Sequence, residues 1–225
     1  DNRHKKDWYY AFFAGSLTTA LAQGYMLGSY IIGFNLETLN SKLFVFIVSI
    51  SLAVGYCLIG ANWLIMKTTG ELQKKSIQWA KLSLMGAIIC IALVSLGTPI
   101  SNQTIFNKWF IFPNFYYLSL IPLSTIILVI WMYLLLKKLP YTKDRYCWLP
   151  FFLTIVIAIF CFIGLAYSFF PFIIPNEMLI IQASAAYSSL MIIFIGALIV
   201  LPILFGYTFF VYKVFHGKTS DLNYD

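Results

Sequence analysis

The chain has 225 residues, of which 61% are apolar and only 10% charged. A water-soluble domain carries about 25% charged residues, so too little polar surface is present to coat a globule in water. The net charge of +7 would suit nucleic acid in a soluble protein. Here the basic residues sit in short flanks between apolar stretches, which fits anionic lipid headgroups and makes nucleic acid a poor candidate partner.

A helix needs about 20 apolar residues to cross the hydrocarbon core. Six stretches qualify, at 8–34, 43–66, 77–98, 115–136, 147–170 and 187–214. The expected fold class is therefore all-α, a polytopic transmembrane bundle of six helices forming a single membrane domain over residues 1–225. The start shows no cleavable signal pattern. Residue 1 is Asp, and DNRHKKDW reads as a connecting loop, so the chain is expected to be the C-terminal part of a longer subunit.

In the first stretch, Ser16, Ala20, Gly24 and Gly28 recur every four residues and make a narrow stripe of small side chains, with Gln23 beside it. Such stripes let two helix backbones approach closely. Ser49, Ala53, Cys57 and Ala61 form a similar stripe in the second stretch. That stretch ends GANWLIMKTTGEL. Trp63 and Lys67 suit a membrane–water boundary, Gly70 permits a turn, and Glu71 to Lys81 are expected to form a short interfacial helix before the third span. Asn62 is the odd letter. An amide in hydrocarbon seeks a partner across a helix interface, and an interhelical hydrogen bond is favoured over direct ligand contact. The segment 171–186 opens with PFIIP and is expected to lie flat on the outer surface. Pro202 interrupts the sixth stretch, and the carbonyl it frees calls for packing by protein rather than lipid.

The loops set the direction. Arg3, Lys5 and Lys6 precede the first stretch; Lys67, Lys74, Lys75 and Lys81 follow the second; Lys137, Lys138, Lys143 and Arg145 follow the fourth; Lys213 and Lys218 close the last. With alternating helices, 13 of the 15 basic residues share one side, leaving Lys42 and Lys108 on the other. This asymmetry places both ends of the chain in the cytoplasm. Trp8, Trp63, Trp79, Trp131 and Trp148 fall near the same inner boundary, and Trp109 with Phe110, Phe112 and Phe115 would anchor the outer one.

The interior chemistry is sparse. No Asp, Glu, Lys, Arg or His lies in the interior of any stretch, Lys81 and Lys213 standing near the ends of theirs, which disfavours proton relays and ion-coupled transport. Haem ligation needs axial His, Met, Cys or Tyr, yet His4 and His216 lie in the flanks and the six methionines are scattered. Cys57, Cys90, Cys147 and Cys161 form no Cys-x-x-Cys pair and read as packing residues. No nucleophilic triad, zinc motif or phosphate loop is present. From the residues alone, no catalytic, cofactor or metal position is expected. The candidates are structural or interfacial: Ser16, Gln23, Gly24, Gly28, Gly60, Asn62, Trp63, Lys67, Gly70, Glu71 and Pro202.

Three segments carry a family resemblance. The first is WYYAFFAGSLTTALAQGYMLGSYIIGF, through Gly15, Ser16, Ala22, Gln23, Gly24, Leu27 and Gly28. The second runs from Gly60 through Ala61, Trp63, Leu64, Lys67, Thr68, Gly70, Glu71 and Leu72 to Gln73. The third is the C-terminal region, through Pro171, Pro175, Pro202, Tyr207, Tyr212, Phe215, Gly217 and Lys218. Together they resemble subunit II of the cytochrome bd-type quinol oxidases, including the cyanide-insensitive branch. Asn62 departs from the smaller Thr or Ser common in the family, and Ile181-Gln182 departs from a Trp followed by an acid.

The resemblance implies a subunit of a quinol:oxygen oxidoreductase in the bacterial cytoplasmic (inner) membrane. That complex oxidises quinol, reduces oxygen to water and draws the protons for water from the cytoplasm. It also implies that haems b and d reside in the partner subunit I, that this chain binds no cofactor itself, and that it supports assembly and stability of the haem-bearing partner. A small single-helix subunit and membrane lipids complete the expected partners. The competing readings are a permease or transporter fragment and a polytopic membrane scaffold.

Overall fold

The computed structural model describes residues 2–112, 114–139, 146–175, 177–214 and 217–218. Lys143, Arg145, Phe215 and His216 lie outside the described residues, as do the side chains of Arg3, His4 and Lys5. The helices are α1 (Asn2–Ile31), α2 (Leu39–Lys67), α3 (Gly70–Ser101), α4 (Gln103–Phe110), α5 (Asn114–Lys138), α6 (Leu149–Phe169), α7 (Ile180–Ala183) and α8 (Tyr187–Val214). Two short strands, β1 (Phe172–Ile174) and β2 (Met178–Leu179), separate α6 from α7.

Local chemistry sets several boundaries. Thr38 caps α2 by accepting from the Ser41 N–H at 3.2 Å. Gly70 has φ +64°, the left-handed conformation that favours glycine, and it turns the chain from α2 into α3. Asn102 caps α4 by accepting from the Thr104 N–H at 3.1 Å. Pro150 stands in the first turn of α6, where its missing N–H costs no helical hydrogen bond.

α2 packs on α3, α3 on α5, α5 on α6, and α6 back on α2, closing a four-helix ring. The two-residue link between α2 and α3 makes them antiparallel neighbours. α1 leans on α2 from outside the ring, and α4 lies across the ends of α3, α5 and α6. No residue of α8 is buried. The main core is built from Leu58, Ile65, Leu84, Met132, Leu136 and Leu153. A second cluster joins Ile31, Phe44, Val48, Ile105 and Phe169 at the opposite end.

The all-α polytopic architecture is present, but the count of six spans is corrected. Five helices, α2, α3, α5, α6 and α8, are long and apolar enough to cross a membrane. The stretch 8–34 drops out. α1 has 30 residues and ample length, but Ser16, Thr18, Thr19, Gln23 and Ser29 dilute its apolarity. The small, hydroxyl-bearing side chains that suit a close helix contact are poor oil.

One local expectation also changes, and the outer loop gains a defined fold. The segment Glu71–Lys81 is not a separate interfacial helix: α3 runs unbroken from Gly70 to Ser101, because no proline intervenes before Pro99. The segment 171–186 folds as a hairpin, with Phe172 opposite Leu179 and Ile174 opposite Met178, followed by the one-turn α7.

Candidate functional site

α1 and α2 approach each other closely at two glycines. A Cβ added at Gly24 would stand 2.5 Å from Ser49 Cα, and one at Gly28 would stand 2.9 Å from Val45 Cα. Both distances are too short for any side chain, so glycine is what permits this contact. Ala20 continues the buried face. Ser16, four residues earlier, is exposed in a shallow groove with Trp8, Phe12, Gln23 and Tyr56. Gln23 Oε1 accepts from the Tyr56 hydroxyl at 2.7 Å, tying α1 to α2 at the groove floor.

The second small stripe divides between two neighbours. Ser49 faces Gly24 of α1, Ala61 enters the main core, and Cys57 is exposed. Gly60 is exposed as well, and a Cβ there would meet nothing within 4 Å. It serves no close approach within this chain.

Asn62 is fully buried at 0% exposure. Its Nδ2 donates to Thr154 Oγ1 at 2.8 Å, linking α2 to α6. The Thr154 hydroxyl donates in turn to Pro150 O at 2.8 Å, with Met132 Sδ 3.7 Å away on α5. Toward the lysine-bearing end, Gln73 Nε2 donates to Ile65 O at 3.2 Å and lies 3.4 Å from Cys147 Sγ. The interhelical hydrogen bond expected of Asn62 is thus formed, with a partner 92 positions along the chain.

At that end Trp63 meets Phe151 of α6 and Tyr212 of α8 edge-on, at centroid distances of 5.1 and 5.9 Å. Lys67 Nζ lies 5.4 Å over the Trp63 ring and donates to Gly217 O at 3.3 Å. These contacts join α8 to the bundle near its last turn. Glu71 pairs with Lys74 at 2.9 Å, with both side chains largely exposed, so the pair contributes little. Pro202 is exposed in α8, in a helix that buries no residue against the described chain.

The opposite end holds a cluster that the sequence did not reveal. Lys108 Nζ on α4 donates to Tyr167 O at 2.6 Å and to Phe170 O, and lies 4.5 Å over the Tyr167 ring. It satisfies carbonyls that α6 leaves open at its C-terminus. Burial pulls its ammonium pKa below the ordinary lysine value. Beside it Trp109 Nε1 donates to Ser168 Oγ at 2.8 Å, and the Tyr30 hydroxyl donates to Ile173 O in the hairpin. Tyr30 also meets Phe169 edge-on at 4.8 Å. Such long-range pairings to backbone carbonyls leave no motif.

The buried polar side chains among the described residues are Ser, Thr, Asn and Gln. Among the described residues no three His, Cys, Asp or Glu side chains gather into a metal-binding group. Among the described residues the buried sulfur-bearing side chains are Met132, which faces the Thr154 hydroxyl, and Cys147, which lies beside Gln73. Fold and interior together define a multi-pass helical membrane protein in which polar pairs such as Asn62–Thr154 and Trp109–Ser168 fasten helices to each other.

The cytochrome bd terminal oxidase subunit II family matches residues 1–215. The chain belongs to that family. No curated protein matches it.

Proposed function

We propose that this chain is the haem-free subunit of a cytochrome bd-type oxidase that couples quinol oxidation to reduction of oxygen to water. The neutral interior carries the reading: among the described residues, the buried polar side chains are amides and hydroxyls, most of them held in interhelical or local hydrogen bonds, with Ser29 Oγ and Asn62 Oδ1 as exceptions. Proton relays and axial ligation need titratable or ligating groups in such positions, so we read the described helices as holding no catalytic centre and their work as mechanical. The chain holds a rigid helix frame against a haem-bearing subunit I in the bacterial cytoplasmic membrane. α8, apolar along its length and with no residue buried against the described chain, is consistent with a subunit that has partners.

Co-purification tests this. An affinity-tagged full-length chain, extracted in mild detergent, is expected to bring down a second large subunit with haem b and d absorption. Isolation as a lone, colourless protein would remove the oxidase reading and leave a transporter or a scaffold.

A further inference from the structure

Asn62 is fully buried and its Nδ2 is satisfied, but its Oδ1 has no hydrogen-bond partner. An amide oxygen left dry in a low-dielectric core is costly. The neighbours cannot supply the missing proton. Thr154 commits its hydroxyl hydrogen to Pro150 O at 2.8 Å, and Met132 has no proton to give. Backbone N–H groups inside α2 are used by the helix itself. Exchanging the amide oxygen and nitrogen would draw the Thr154 hydroxyl hydrogen away from Pro150 O, breaking a 2.8 Å hydrogen bond.

We propose that Asn62 Oδ1 holds one internal water at the junction of α2, α5 and α6. The ligand must be small, because 0% of Asn62 is open to solvent, and it must donate a hydrogen bond. It must also be neutral, because the partners around the amide, Thr154, Pro150 O and Met132, carry no charge to balance an ion. Water meets all three conditions, and buried waters typically make about three hydrogen bonds to such groups. The Gln73–Cys147 layer, packed where α2 and α3 join, gives this polar seam its side toward the lysine-bearing end.

The test is a cryo-EM map of the intact oxidase complex at a resolution that shows ordered water. A peak at hydrogen-bond distance from Asn62 Oδ1 is expected, and it should vanish in Asn62→Leu. A wild-type map with well-defined Asn62, Thr154 and Met132 side chains and no such peak overturns the proposal. Melting of the complex gives a second readout. Asn62→Leu should lower Tm by several degrees if it expels a bound water, whereas a dry, unsatisfied oxygen predicts a rise in Tm on that change. If the Leu variant fails to assemble, the wild-type map decides alone.

Discussion

Gly24 and Gly60 look alike in the sequence, since both are glycines inside apolar helices. The structure separates them. Any side chain at Gly24 meets the backbone of α2 at Ser49, whereas a methyl at Gly60 meets nothing. Gly24→Ala and Gly24→Leu should therefore force α1 away from α2 and destabilise by at least the 1–3 kcal/mol of a typical overpacked site. Gly60→Ala should be neutral or slightly stabilising, by about 0.5–1 kcal/mol, through helix propensity. Melting temperature and haem content of the purified complex would check both, and unchanged values for Gly24→Leu would rule out the tight contact. Asn62 teaches a related lesson. Its need for a partner was legible from one letter in an apolar run, but Thr154 was not, because nothing local marks one threonine among several as the acceptor.

At the level of elements, the four ring helices were legible because length and apolarity alone identify them. α1 was overcounted for the converse reason: its tyrosines and small residues look apolar in a tally but contribute little oil. The hairpin and α4 were not legible. They are fixed by Lys108 and Tyr30 reaching backbone carbonyls far away in the sequence, and such pairings follow no period. Lys108→Met should release the carbonyls at the end of α6, costing on the order of 1 kcal/mol for each hydrogen bond lost. Hydrogen exchange should then rise in α4 and in β1. By contrast, Lys67→Ala or Glu71→Ala should loosen only the junction of α2 and α3 and its tie to the C-terminal segment. Turnover per haem should hold, and a large fall with intact assembly would contradict a purely structural role for that corner.

The whole molecule is polarised. Lys67, Lys74, Lys75, Lys137, Lys138 and Lys213 lie at one end of the helices, and Lys42 and Lys108 lie at the other. If the lysine-bearing end, where α8 finishes, faces the cytoplasm, a reporter fused after Lys218 in the assembled oxidase should behave as an intracellular tag. It should be fluorescent as a green protein fusion and inactive as alkaline phosphatase. The reverse pattern would turn the molecule over and move the Asn62 seam to the outer face. This polarity was readable from the sequence, because charge in loops needs no tertiary knowledge.

The contact at Gly24 and Gly28 has a consequence for handling the protein. At Gly24 the two backbones meet with no side chain between them, and at Gly28 the Val45 and Val48 side chains close on the bare α1 backbone. Lipid tails are as apolar as the helices, so such a joint rests on van der Waals fit rather than on expulsion of water. A surfactant tail cannot imitate that fit or wedge into it. As solubilising conditions are made harsher, α1 and α2 should stay together as a unit, while α8, held near one end by Trp63 and Lys67, comes loose first.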